Sequence, residues 1–107
     1  MTYKIELSLL SKLDLEDIYA YIKNTLCASK AANDVFNKIK SALYSAAYFP
    51  YRFRKLGGFD NQNLRVITVG NYNIIFSINN EKGIVFIVRI LYFGRDIANI
   101  IEKSILH

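Results

Sequence analysis

The chain has 107 residues, enough for one hydrophobic core and too few for two, so a single domain over 1–107 is expected. Hydrophobic residues make up 52% of it and aromatics 14%, without tryptophan, a globular composition that excludes a disordered chain. The net charge is +5, and the lone Cys27 excludes an internal disulfide or a cysteine-based zinc cluster, which fits a reducing, cytoplasmic setting.

The charge is uneven. Residues 1–50 hold six lysines and five acids, whereas all five arginines, Arg52, Arg54, Arg65, Arg89 and Arg95, fall in the second half. An arginine-weighted half suits an anionic partner, nucleic acid or an acidic protein segment, and equally a plain solvated surface. The alternating, acid-bearing opening residues lead us to expect no signal peptide, and no apolar run approaches the roughly 20 residues that span a bilayer.

Thr2 to Ser8 alternates Tyr3, Ile5 and Leu7 against polar neighbours, the pattern of a strand with one covered face. Ser11 and Asp14 read as a helix start, with Asp14, Glu16 and Asp17 as favourable N-terminal charges. Leu15, Ile18, Tyr19, Ile22 and Leu26 then recur at helical spacing, predicting a helix over 12–26. Ser29 can cap a second helix whose inner stripe is Ala32, Val35, Phe36, Ile39, Leu43 and Ala46, ending before Pro50. Two helices joined by a short link form an antiparallel hairpin.

From Pro50 to Leu64 the periodicity stops, and Gly57-Gly58 with the Asp/Asn cluster marks a loop. Arg65–Val69 and Tyr72–Ile78 read as strands joined by Gly70-Asn71, a two-residue hairpin signal. Ile84–Tyr92 is a nearly unbroken apolar run, as expected for a central strand paired on both sides. Ile97, Ile100, Ile101 and Ile105 predict a short helix over Asp96–Leu106. The order β-α-α-β-β-β-α gives an α+β fold: a small, mostly antiparallel four-stranded sheet with a helical hairpin on one face and the other face open.

Arg89 stands out, because a guanidinium inside a central strand is costly unless it is paired or reaches solvent or ligand. Its candidate partner is an acid such as Asp96. Arg52, Arg54 and Lys55 interleave with Tyr51 and Phe53, an arrangement suited to phosphate contacts with base stacking, or to docking an acidic protein. The last residue, His107, is the only histidine, and Cys27 reads as a small half-buried residue. No metal-ligand cluster, phosphate-binding glycine loop or Ser/His/Asp set is visible, and no cofactor is expected.

The ordered set Tyr3-Lys-Ile, Asp14-Leu-Glu-Asp-Ile-Tyr-Ala-Tyr-Ile, the loop from Pro50, Arg65, Tyr72-Asn-Ile-Ile-Phe and Val88-Arg-Ile-Leu-Tyr-Phe-Gly-Arg-Asp resembles the RelE/ParE superfamily of bacterial type II toxin–antitoxin toxins. The resemblance spans nearly the whole chain and is closer to ParE-like members. It implies a growth-inhibiting toxin neutralised by a cognate acidic antitoxin in a hetero-oligomer. ParE-like members poison DNA gyrase by binding. RelE-like members cleave mRNA in the ribosome, the alternative reading.

For cleavage, a metal-independent endoribonuclease needs a base for the 2′-hydroxyl, cations for the phosphorane and an acid for the leaving oxygen. Arg65, Arg89 and Arg95 are the candidate cations, the first two at positions often functional in the family. Tyr92 is the candidate acid–base group, with Lys55 second, since Tyr92 stands where many relatives have histidine. A phenol with an ordinary pKa of about 10 needs nearby cations for that role. Otherwise Tyr92 is a sheet-edge aromatic. Arg52, Arg54 and Lys55 are the candidate contacts to nucleic acid or target.

Overall fold

The computed structural model describes residues 2–57, 63–94 and 96–105. In chain order these form β1 (Lys4–Leu7), α1 (Leu9–Ala20), α2 (Ser29–Ala46), β2 (Leu64–Val69), β3 (Tyr72–Asn79), β4 (Ile84–Tyr92) and α3 (Ile97–Ile105). A π-helical stretch, Tyr21–Thr25, prolongs α1, and a 3-10 turn, Pro50–Arg52, follows α2. The order β-α-α-β-β-β-α is the one expected.

The sheet runs β1-β4-β3-β2, with β1 parallel to β4 and the other neighbours antiparallel. The apolar strand β4 is indeed paired on both sides. Val69 faces Tyr72 across the Gly70-Asn71 turn, where Gly70 takes a positive φ of 56° that favours glycine. No helix among the described residues is long and apolar enough to cross a membrane.

Helix α2 lays Ile39, Leu43 and Ala46 against Ile67, Ile74, Phe76, Val85, Ile87 and Ile90, which forms the main core. Each fully buried isoleucine here contributes about 1.5–3 kcal/mol of transfer free energy. The expectation of an open second face needs correction. Ile101 of α3 is buried there with Leu64, Val66, Ile75 and Leu91, flanked by Ile97 and Ile100. The i, i+3, i+4 spacing of those isoleucines gives α3 an apolar stripe that must be covered, and the sheet covers it.

Both helix starts also differ from expectation. Helix α1 begins three residues early because Ser8, not Ser11, is its cap: Ser8 Oγ accepts from Ser11 N at 2.9 Å. The same hydroxyl donates to the Val88 carbonyl at 2.7 Å, so a contact with β4 selects the cap. Asp14 therefore lies well inside α1 and is not an N-terminal charge. Helix α2 follows Ala28 with no side-chain cap, so Ser29 is its first residue.

Candidate functional site

Arg89 lies on the stretch where β1 leaves the sheet. The parallel pairing ends at Leu7 opposite Ile87, leaving the rest of the β4 edge without a strand neighbour on that side. Backbone groups stranded there need other partners. Ser8 N donates to Ile87 O at 2.9 Å and Ser8 Oγ to Val88 O, while Ile90 N donates to Asp14 Oδ2 at 3.0 Å. The first turns of α1 thus complete the edge.

At the same place β4 carries a bulge. Phe76 faces Ile87 and Ile75 faces Arg89, so Val88 is the extra residue. A bulge bends a strand and re-aims its side chains. Arg89 meets α1: Nε donates to Asp14 Oδ2 and Nη2 to Asp14 Oδ1, both at 2.7 Å. The pair is mostly buried, with side chains 17% and 12% exposed. The hydrogen bond to Asp14 raises the Arg89 pKa, against an opposing effect of burial. The partner is Asp14 and not Asp96, whose exposed carboxylate accepts from Asn99 N at 3.2 Å at the start of α3.

Arg65 lies two strands away on β2 and is 9% exposed. Its Nη1 donates to the carbonyls of Tyr51 at 3.1 Å and Phe53 at 2.7 Å, and its guanidinium lies 5.0 Å from the Tyr51 ring centroid. Its buried Nε has no partner. Below it, Leu56 N donates to Leu64 O and Val66 N to Arg54 O, so part of the expected 50–64 loop runs as an edge segment along β2. Arg54 and Lys55 stand exposed on that segment. Arg52 turns the other way. Its guanidinium caps α2, donating to the carbonyls of Ser45, Tyr48 and Phe49, and stacks 4.4 Å from the Phe53 ring centroid.

Tyr92 occupies the last row of the sheet, opposite Tyr72, with ring centroids 5.6 Å apart in an edge-to-face pair. It is 52% exposed and lines an open pocket of about 720 Å³ with Tyr21, Tyr72, Leu26 and Val35; the charged group in that lining is Asp17. Burial, then Tyr92 and Tyr21, raise the Tyr72 pKa above 10.0. Arg65, Arg89 and Tyr92 thus have separate immediate partners. Arg95 and His107 lie outside the described residues.

The residue that sequence reasoning missed is Asp14. An arginine in an apolar strand demands an acid, but nothing local singles out one 75 positions earlier; the β1–α1 crossover makes that choice.

The family described as "ParE toxin of type II toxin-antitoxin system, parDE" matches residues 5–97. A comparison with curated proteins gives no match. Among solved structures, the chromosomal ParDE toxin–antitoxin system of P. aeruginosa is similar, with a TM-score of 0.72 at 14% identity, covering 87% of this chain and 98% of that one. A mutant of E. coli toxin RelE in the free state has a TM-score of 0.62 at 17% identity, covering 99% and 96%. The archaeal RelE–RelB complex from Pyrococcus horikoshii OT3 has a TM-score of 0.62 at 21% identity, covering 89% and 99%. At these identities the structural likeness speaks for the fold, and ParE and RelE share it. With the family match running from β1 into α3, the chain belongs to the ParE toxin family of type II toxin–antitoxin systems.

Proposed function

We propose that this toxin arrests growth by binding a protein machine, DNA gyrase, without chemistry of its own. A cognate acidic antitoxin holds it inactive in a hetero-oligomer. The supporting observation is the closed Asp14–Arg89 pair. Cleavage of RNA needs cations free to meet a phosphorane beside an acid–base group. Here the Arg89 fork meets a carboxylate on two of its nitrogens and Arg65 is buried against carbonyls; among the described residues, the charged side chain in the pocket lining beside Tyr92 is Asp17, of the wrong sign to stabilise a phenolate. The antitoxin reading rests on family membership and on the toxin–antitoxin complexes among the similar structures.

Purified toxin is expected to inhibit supercoiling by gyrase, and its induction in cells to leave mRNA intact. New codon-positioned 5′ ends by primer extension, with supercoiling untouched, would reverse the assignment. Tyr92→Phe separates the two readings inside cells. It keeps the ring and removes the proton donor, so growth arrest persists if the toxin binds and collapses if it cuts. Co-expression of an acidic protein from a neighbouring reading frame should relieve the arrest.

A further inference from the structure

The chain places an unexpected residue just past the end of α2. The helix stops at Ala46, and Phe49 takes the left-handed conformation, φ 52°, immediately before Pro50. Glycine, sometimes asparagine, normally fills such a position, because a Cβ is strained there and a bulky side chain more so. Packing could justify a ring at this point, yet Phe49 is 73% exposed. Its backbone is strained and its side chain is largely in water, two costs that folding alone does not explain.

Its neighbours along the chain are aromatic and basic. Lys40 and Tyr44 are one helical turn apart on α2, with the ammonium 6.0 Å from the ring centroid, and Tyr48 continues the same spacing just beyond the helix. Tyr44, Tyr48 and Tyr51 are all exposed. Arg52 ties down the strained turn through the carbonyls of Tyr48 and Phe49. Residues 35–59 contain Lys38, Lys40, Arg52, Arg54 and Lys55 and no acidic residue.

We infer that Phe49, with the exposed Tyr44, Tyr48 and Tyr51 close to it in the chain, anchors a docking surface for an acidic patch on the toxin's protein target. The inference rests on the reading above that the toxin acts by binding a protein. An exposed ring held by a fixed backbone loses little freedom on binding, and aromatic anchors with arginine neighbours carry most of the energy at protein interfaces. Arg52 at the turn and Lys40 beside Tyr44 supply complementarity to carboxylates. Arg52, the cation tied to the turn, spends its fork on backbone carbonyls, so it offers charge and not bidentate phosphate recognition.

The test is Phe49→Gly, with Phe49→Asn as a second variant suited to the left-handed position. Relief of strain should raise Tm by about 4 °C, while affinity for purified gyrase falls more than about tenfold and growth arrest is lost. Affinity of the unaltered toxin should weaken with added salt. A variant that inhibits gyrase as the unaltered toxin does overturns the inference, and so does a lowered Tm in both variants, which would make Phe49 a packing residue. If the unaltered toxin shows no affinity for gyrase, the target assignment fails alone. Growth arrest then judges the surface: persistence in a stable Phe49→Gly overturns it, and loss upholds it. Binding of a single-stranded oligouridylate that depends on Phe49 also overturns it, because the partner would be nucleic acid.

Discussion

Arg89 on β4 and Asp14 on α1 stand 75 positions apart in sequence and meet through two hydrogen bonds of 2.7 Å. Asp14 accepts a third from Ile90 N, so one carboxylate serves a guanidinium and a strand edge together. Removing it takes two hydrogen bonds from a largely buried cation and one from a backbone donor at once.

Asp14→Ala is expected to destabilise the fold by about 2–4 kcal/mol, somewhat less than the loss of a fully buried partner because both side chains keep partial exposure. Arg89→Met should cost a comparable amount, since it keeps an apolar stem but leaves the largely buried Asp14 carboxylate without its guanidinium. Urea unfolding of both single variants and the double variant gives the coupling. Strictly additive losses would mean that the pair contributes nothing to stability.

Ser8 offers a second check on the same edge. Ser8→Ala loses the cap to Ser11 N and the bond to Val88 O, about 1–2 kcal/mol in thermal unfolding. Aspartate is ordinarily as good a cap as serine. Here Ser8→Asp should do no better than alanine, because a carboxylate cannot donate to Val88 O and would repel it. Full stability of Ser8→Asp would show that the contact with β4 is dispensable.

Arg65→Lys tests the fastening of the edge segment. Both carbonyls are met by Nη1 of a planar group that also stacks on Tyr51, and a lysine ammonium cannot keep those two bonds and the stacking together. The amides of Leu56 and Val66, which bond across this seam, should exchange with solvent about tenfold faster or more. Unchanged protection would show that strand pairing holds the segment without the arginine.

Alkaline pH should weaken the fold through Tyr72. Its folded pKa is raised above 10.0, so the unfolded chain loses this proton first. The contribution of Tyr72 is fully present below pH 10.0 and is lost as pH rises through the folded pKa. Arg89 does not compete in this window, because its hydrogen bond to Asp14 raises an already high pKa. Denaturation midpoints against pH, compared between the unaltered protein and Tyr72→Phe, check this; identical alkaline slopes would contradict it.

Elements whose cause lies within a few residues were readable in the sequence. The apolar run of β4 marks both ends of that strand, Gly70-Asn71 marks the hairpin, and the stripe from Ala32 to Ala46 marks the face of α2. What stayed hidden depends on partners distant in the chain. The cap moves from Ser11 to Ser8 because Val88 offers a carbonyl, and Asp14 finds Arg89 only after β1 has docked on β4. Residues 50–64 read as a loop, and only the pairing with β2 turns part of them into an edge segment. Candidate cations were visible as residue types; their separate surroundings depend on the strand order and the bulge at Val88.

The strand order β1-β4-β3-β2 has a consequence for biosynthesis. The first strand made pairs with the last one, Lys4 beside Ile84, and the Asp14–Arg89 pair closes across the same interval. Such contacts carry a high loop-closure cost and form only after the intervening chain exists. A nascent chain emerging from the ribosome can fold its helical hairpin, but it has no seat for β1 until β4 has emerged. Translation halted before that strand leaves an unfinished sheet, so a truncated message yields a chain without the native toxin surface.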